Sequence, residues 1–270
     1  VLSSAVAVEF LSHNIWGLLD PAWRAALEAT PLIDLAGIVG QPPSVSPPPH
    51  WPASLSLFVS RCHAACLSRS PSQRLIPSWL DWDLSSVPPL SHRFAVGMSP
   101  KKRAEASALG HLVSSLARAH GVDAIVDVGA GQGYLSNLLA FHYGLAVTAL
   151  DNDTGQTDGA RSRDSALAPA VRPVAAATGS LRHVTLHVGG REGELFDVLD
   201  RPYGVCGLHT CGDLATSALK AAGAGARVPF VVNVGCCYNL MSRDGFPLSA
   251  PATADARARL SRGERMLACQ

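Results

Sequence analysis

The chain has 270 residues, with 22 Lys and Arg against 21 Asp and Glu, and 47% hydrophobic against 16% charged residues. That composition excludes a disordered chain and supplies apolar surface for one large domain, or one with a small partner. Balanced charge gives no pointer to a nucleic acid or a membrane surface. No apolar run approaches the roughly 18 residues of a membrane span, and no secretory leader is expected. The seven cysteines are odd in number, two are adjacent and several sit in apolar runs. That is a poor disulfide framework, so a reducing, intracellular setting is expected, cytoplasmic or nuclear. A chain that opens on Val1 and closes on Cys269-Gln270 is expected to be a fragment at both ends.

All five tryptophans lie in the first 82 residues, and residues 1–93 hold five Arg against six acids. This composition break predicts two units: a helical N-terminal extension over 1–93 and a main domain over 94–270. In the first, Asp20-Pro21-Ala22-Trp23 reads as a helix start, Asp capping and Pro in the first turn. Residues 41–52 form a proline-rich connector, expected as a stiff spacer. Residues 55–67 follow as a helix carrying Cys62, His63 and Cys66. A metal site needs two further ligands there and none is visible, so no metal is expected.

The second unit opens at Ser99-Pro100 with a helix running to about His120 before Gly121. Strands are predicted at Ala124–Val128, Leu145–Leu150, His183–Val188, Tyr203–Leu208 and Pro229–Val234. Helices are predicted over 134–142, 158–168 and 213–222, with a variable loop over 169–181. Strand and helix alternating at this spacing imply an α/β fold, a parallel sheet covered by helices on both faces.

The chemistry sits in Asp127-Val128-Gly129-Ala130-Gly131-Gln132-Gly133, directly after the first strand. Glycines at alternate positions let the backbone turn tightly and let a ligand approach. The following helix start favours a negative group such as a carboxylate. Asp151 ends the next strand, 22 residues after Gly129, where a carboxylate accepts both hydroxyls of a ribose. A dinucleotide fingerprint would want glycine at 134, where this chain has Tyr134. The pattern D-x-G-x-G-x-G instead resembles motif I of class I S-adenosylmethionine-dependent methyltransferases. That resemblance implies a Rossmann-like fold and S-adenosyl-L-methionine as cofactor, held by Asp127, Gly129, Ala130, Gly131, Gln132, Gly133 and Asp151.

Four segments in order narrow the resemblance: Gly97-Met98-Ser99-Pro100-Lys101-Lys102, the glycine loop, Gly207-Leu208-His209-Thr210-Cys211-Gly212-Asp213-Leu214, and Val234-Gly235-Cys236-Cys237-Tyr238-Asn239-Leu240. Together they resemble the methyltransferase-like 25 family, also called ribosomal RNA adenine dimethylase domain-containing proteins, over about residues 90–270. A family of tRNA ribose methyltransferases is a more distant likeness, sharing the Cys-Gly and Cys-Cys elements. Where adenine N-methyltransferases carry Asn/Asp-Pro-Pro-aromatic, this chain has His209-Thr210-Cys211-Gly212-Asp213. The residues therefore do not carry adenine dimethylation. The resembled fold has two more strands after the fifth, for which only 34 residues remain after Cys236, so its C-terminal strands are expected to be missing.

In open α/β sheets the ligand crevice lies beyond the carboxyl ends of the strands. His209, Asp213 and Tyr238, after strands four and five, are therefore the expected catalytic contacts to the methyl acceptor. His209 is the best proton acceptor among them. Asp213 has a second reading as a helix cap. Cys236 and Cys237 are read first as packing, since cysteine is among the most buried residue types, with a substrate-site role and a metal or redox role as alternatives; adjacent cysteines do not easily ligate one zinc together, and His209 with Cys211 makes a weak set. Lys101-Lys102-Arg103 is read as a solvated first helical turn. The acceptor stays open, an RNA or a protein, and the alternative function is a methyltransferase-fold binding protein without catalysis.

Overall fold

The computed structural model describes residues 14–40, 43–66, 79–80, 84–167, 179–188, 199–224, 227–242 and 248. The chain divides into two compact units, Val1–Pro77 and Ser78–Gln270.

Among its described residues the first unit has three α-helices, α1 (Pro21–Glu28), α2 (Leu32–Val39) and α3 (Ala53–Ala65). The Asp20 carboxylate accepts from the Ala22 N–H at 2.7 Å, satisfying one of the donors a helix start leaves open. Ala26, Ile38, Trp51 and Leu55 form the core of this unit. The indole N–H of Trp51 donates to Thr30 Oγ1 at 2.8 Å, and that hydroxyl donates to the Ala26 carbonyl at 2.7 Å. The proline-rich stretch is therefore more than a spacer. Its prolines deliver Trp51 into the core, and the buried indole finds the polar partner it needs.

The boundary at 77/78 lies earlier than the 93/94 read from composition. Trp79 stands edge-on to the His120 ring at 5.6 Å, Phe94 edge-on to His142 at 6.0 Å, and Ser86 Oγ lies 3.1 Å from His111 Nε2. Trp79, Ser86 and Phe94 thus pack within the second unit. Tryptophan content marked the wrong border because Trp79 serves the later unit.

The second unit opens with α4 (His92–Ala95) and α5 (Pro100–Ala119). Ser99 Oγ caps α5 by accepting from the Lys102 N–H at 3.2 Å, as Ser-Pro predicted. There follow β1 (Ala124–Val128), α6 (Tyr134–Asn137), β2 (Ala146–Asp151), α7 (Thr154–Leu167), β3 (Ser180–Thr185), β4 (Gly204–Thr210), α8 (Asp213–Ala224) and β5 (Val231–Gly235). The sheet runs β3-β2-β1-β4-β5 with every neighbouring pair parallel. This is the Rossmann-like α/β fold expected of the sequence.

Two apolar layers sandwich the sheet. On one face Leu109, Val113 and Ala117 of α5 pack on Ile125, Leu139, Val147 and Cys206. On the other, Ala124, Val126, Val128, Leu150 and Val205 pack with Ala218 of α8. Burial on both faces explains why β1 reads as an apolar run broken only by Asp127. Each fully buried Val, Leu or Ile contributes roughly 1.5–3 kcal/mol.

The helix expected over 134–142 is only four residues of α-helix, widening into a π-type turn over Leu138–His142. β5 is the last strand among the described residues. The expected loss of C-terminal strands, and nearly all of the loop expected over 169–181, lie outside them. Among the described residues no helix is long and apolar enough to cross a membrane.

Candidate functional site

Strand order reverses between β1 and β4: β2 and β3 lie to one side of β1, and β4 and β5 to the other. In such sheets this is where the crevice opens. Two cavities meet there, one of about 450 Å³ under the glycine loop and one of about 540 Å³ toward β4.

The loop is tied to β2 before any ligand arrives. The N–H groups of Gly129 and Ala130 both donate to the Leu150 carbonyl, at 2.9 and 3.0 Å. Gly131 and Gly133 have φ of +54° and +71°, where L residues rarely go. They differ in what surrounds them. A Cβ on Gly131 meets nothing closer than Gln156 Oε1 at 3.9 Å, so it projects into the open cavity. A Cβ on Gly133 meets His183 at 3.0 Å, Ala160 at 3.2 Å and Asn137 at 3.3 Å, so that glycine is a packing requirement.

Asp151 ends β2 at the cavity rim. Its Oδ2 accepts from the Gly131 N–H at 2.8 Å and its Oδ1 from the Asp153 N–H at 3.0 Å. A carboxylate offers about four acceptor sites. Two are used in fixing its orientation, and two remain for donors in the cavity.

Asp127 lies deeper, 1% exposed. Its carboxylate accepts from the Ser136 hydroxyl at 2.5 Å and from the Cys206 thiol at 3.7 Å. Burial pushes its pKa up to about 6, against the downward pull of those two hydrogen bonds. Of the residues expected to hold the cofactor, Asp127, Gly129, Ala130, Gly131, Gln132 and Asp151 line the 450 Å³ cavity. Gly133 does not; it sits behind the loop against His183.

Sequence reasoning missed the brace around Tyr134. Its hydroxyl donates to the Gly97 carbonyl at 2.9 Å and accepts from Arg163 Nη2 at 2.8 Å. The Arg163 guanidinium stands 4.0 Å from the ring centroid and the Lys102 ammonium 4.6 Å from it. A phenol between two cations gains from both. The brace fastens residues 96–97 to the loop, since Arg163 Nη1 also donates to the Val96 carbonyl at 3.1 Å. The available signal was the tyrosine itself, standing where a dinucleotide site needs glycine. Lys102, read as solvated, lines the cavity.

The opposite wall is built by β4. Its pairing with β5 runs Leu208 to Val234 and then Thr210 to Gly235, leaving His209 as an extra residue. His209 takes φ of +63°, one of two non-glycine residues with positive φ among the described ones. Such a bulge re-aims a side chain and holds backbone strain of about 1–3 kcal/mol. His209 Nε2 lies 3.0 Å from Glu105 Oε2 on α5. Glu105 is a further residue the sequence did not disclose, 104 positions away. With Nε2–H donating to Glu105, Nδ1 is left with the lone pair.

His209 borders both cavities and Asp213 the larger one. Asp213 Oδ1 accepts from the Ser242 N–H at 2.8 Å, so it fixes the segment after β5. Tyr238, the third expected contact, lines neither cavity. It opens a 3₁₀ turn (Tyr238–Leu240) that folds its ring back onto Gly235, where an added Cβ lies 3.0 Å from Tyr238 Cε1. The structure therefore brings His209 and Asp213 together and leaves Tyr238 aside.

A family model described as a methyltransferase domain matches residues 101–244. "Probable methyltransferase-like protein 25" of Homo sapiens is 40% identical over 70 residues, 26% of this chain and 12% of that protein. Its Mus musculus counterpart is 41% identical over 70 residues, again 26% and 12%. The matched stretch thus spans about an eighth of the length of these curated relatives. Among solved structures, magnesium protoporphyrin IX methyltransferase from Synechocystis with bound S-adenosylhomocysteine is 18% identical, covering 51% of this chain and 63% of that one, with a TM-score of 0.31. A Podospora anserina methyltransferase, also bound to S-adenosylhomocysteine, is 12% identical, covering 80% and 84%, with a TM-score of 0.34.

Proposed function

The chain belongs to the methyltransferase domain family, and on that premise we propose that its crevice binds S-adenosylmethionine and that His209 serves the methyl acceptor. The observation that carries this reading is the coupling of Gly131 to Asp151 at the cavity rim. One backbone hydrogen bond holds both the glycine that leaves room for a ligand and the carboxylate with acceptor sites to spare. The residues present fit the cofactor. Asp151 would accept the ribose hydroxyls, the glycine loop would lie along the methionine part, and the buried Asp127 would favour a cationic centre nearby. When bound, the cofactor supplies a methyl group already activated by a sulfonium.

The protein's own work is then alignment and proton handling. An acceptor O–H, N–H or S–H attacks with its lone pair and must shed a proton. His209 Nδ1 would take it, and Glu105, bonded to Nε2–H, would hold the ring and stabilise the imidazolium that forms. Asp213, in the same cavity, would orient the acceptor. An RNA or a protein chain is the substrate class in view.

Isothermal titration of the chain with S-adenosylmethionine is expected to give one site per chain. A tritiated-methyl assay on total RNA and on total protein is expected to label one of the two. Absence of binding would remove the cofactor assignment. Binding without label in either pool would make the domain a binding module.

A further inference from the structure

At the rim of the crevice, three thiols from two different loops converge at the carboxyl edge of β4 and β5. Cys211 lies between β4 and α8, and Cys236 and Cys237 directly follow β5. Their sulfurs all lie within 4.8 Å of one another. Cys211 Sγ is 3.0 Å from Cys236 Sγ, which is 3.6 Å from Cys237 Sγ.

We propose that Cys211, Cys236 and Cys237 form a thiolate site for a thiophilic divalent metal, zinc by chemical preference. Three observations support it. First, the cysteines are not buried filler: Cys211 is exposed and the other two are half-buried, whereas packing cysteines sit in apolar interiors, as Cys206 does. Second, the spacing suits one ion. Zinc–sulfur bonds of about 2.3 Å in a tetrahedron put the sulfurs roughly 3.8 Å apart. The pair at 3.6 Å already stands there, and the pair at 3.0 Å reaches it by a small side-chain rotation. Third, the two loops are pinned together without a metal. The Gly212 N–H donates to the Cys237 carbonyl at 3.3 Å, and Asp213 takes the Ser242 N–H at 2.8 Å. The ligands are therefore preorganised across 25 residues of sequence, Cys211 to Cys236.

This reverses the expectation that neighbouring cysteines do not share a zinc. That expectation considered the pair alone, and a third sulfur from another loop changes the geometry. Three protein ligands with one exposed member is the arrangement that keeps a fourth position for water or a substrate atom. Soft thiolates select zinc over magnesium or calcium. Cys211 also borders the 540 Å³ cavity shared by His209 and Asp213. The site stands independently of the methyl-transfer reading, because metal binding is read without cofactor or acceptor.

The test uses the full chain, reduced, chelator-stripped and kept free of oxygen, titrated with cobalt(II) alone. One equivalent per chain is expected, with the visible absorption of tetrahedral cobalt and a thiolate-to-cobalt charge-transfer band, both abolished by zinc(II). The Cys62→Ser/Cys66→Ser variant is expected to keep the signal and Cys211→Ser/Cys236→Ser/Cys237→Ser to lose it. Cys211→Ser alone, at an exposed position where folding survives, should weaken cobalt binding roughly tenfold or more with unchanged circular dichroism, since ligands bind only as thiolates. Absence of a tetrahedral spectrum, or a spectrum that survives the triple substitution or the Cys211→Ser change undiminished, would overturn the proposal.

Discussion

The two walls of the crevice are built in different ways. The wall under β1 and β2 comes from neighbours in sequence: a glycine loop, the Leu150 carbonyl that holds it, and Asp151 at the end of the next strand. Its Asp151 carboxylate is held by two backbone N–H groups, and Asp127 by the Ser136 hydroxyl and the Cys206 thiol. The wall at β4 and β5 is assembled from afar. A bulged histidine leans on Glu105 from a helix 104 residues earlier, and loops some 25 residues apart are laced together. A wall made of local structure should fail by unfolding or by losing its ligand. A wall made of re-aimed side chains should fail by losing rate while the fold stands.

The largest effect is expected on the first wall. Gly133→Ala imposes a left-handed conformation on a residue with a side chain, costing about 1–2 kcal/mol. It also pushes a methyl into His183, Ala160 and Asn137, and overpacking costs about 1–3 kcal/mol more. Urea unfolding should report the sum. Gly131→Ala pays only the conformational part, because its methyl enters open space, and its loss should appear as weakened cofactor binding. Equal stability losses for the two would erase the distinction between a packing glycine and a ligand glycine.

Asp127 should show the same wall through pH. Its pKa is raised from 3.8 to about 6 in the folded state. Its stabilising contribution is thus full below about pH 4 and is lost as pH rises through 6, by about 3 kcal/mol. Asp127→Asn keeps an acceptor for Ser136 and has no such titration. Its stability relative to the parent should improve by about that amount between pH 4 and 7.5, measured by denaturant titration at each pH. A pH-independent difference would mean that the carboxyl is ionised throughout.

On the second wall, His209→Asn preserves a residue tolerant of positive φ. Methyl transfer should fall roughly 10²-fold, the scale of lost acid–base help, with melting temperature and S-adenosylmethionine affinity nearly unchanged. A fall in stability that accounts for the lost activity would make His209 structural and blur the two walls. The smallest effect is at Asp151→Ala. Each charge-assisted hydrogen bond contributes roughly 1.5–3 kcal/mol. Titration calorimetry should therefore show binding weakened by about tenfold or more, while the fold survives.

Legibility in the sequence follows the same line. Four strands lie within two residues of their expected bounds, β1 residue for residue because burial on both faces writes an apolar run, whereas β3 runs Ser180–Thr185, three residues before the expected His183–Val188, because its half-exposed residues carry no such run. Asp20 and Ser99 announced their helices because capping is decided within three residues. The glycine loop and Asp151 belong to one strand–turn–helix–strand passage and were readable together. Glu105 was not, since nothing local ties a helix carboxylate to a histidine after the fourth strand. Tyr238 looked like a crevice residue by its distance from β5, but the turn it opens folds it away. The sulfur cluster depends on a loop-to-loop approach that spacing alone does not encode.

The bulge at His209 also shifts the phase of its strand. Up to Leu208 the side chains of β4 keep step with simple alternation: Val205 faces the layer that holds Ala218, while Cys206 and Leu208 face the α5 layer. One extra residue advances that count by one. Thr210 consequently lands on the side of Gly207, where a Cβ would come within 2.5 Å of its methyl group, and its hydroxyl meets Asn233 at 2.7 Å. Gly207 is bare because Thr210 arrives out of turn. Deleting His209 would mend the ladder and leave Thr210 opposite Gly235 on the same face, whereas a regular strand that kept His209 in the ladder would turn Thr210 to the other face, so the histidine acts as a frameshift in side-chain parity, and the residues after it read correctly only in the shifted frame.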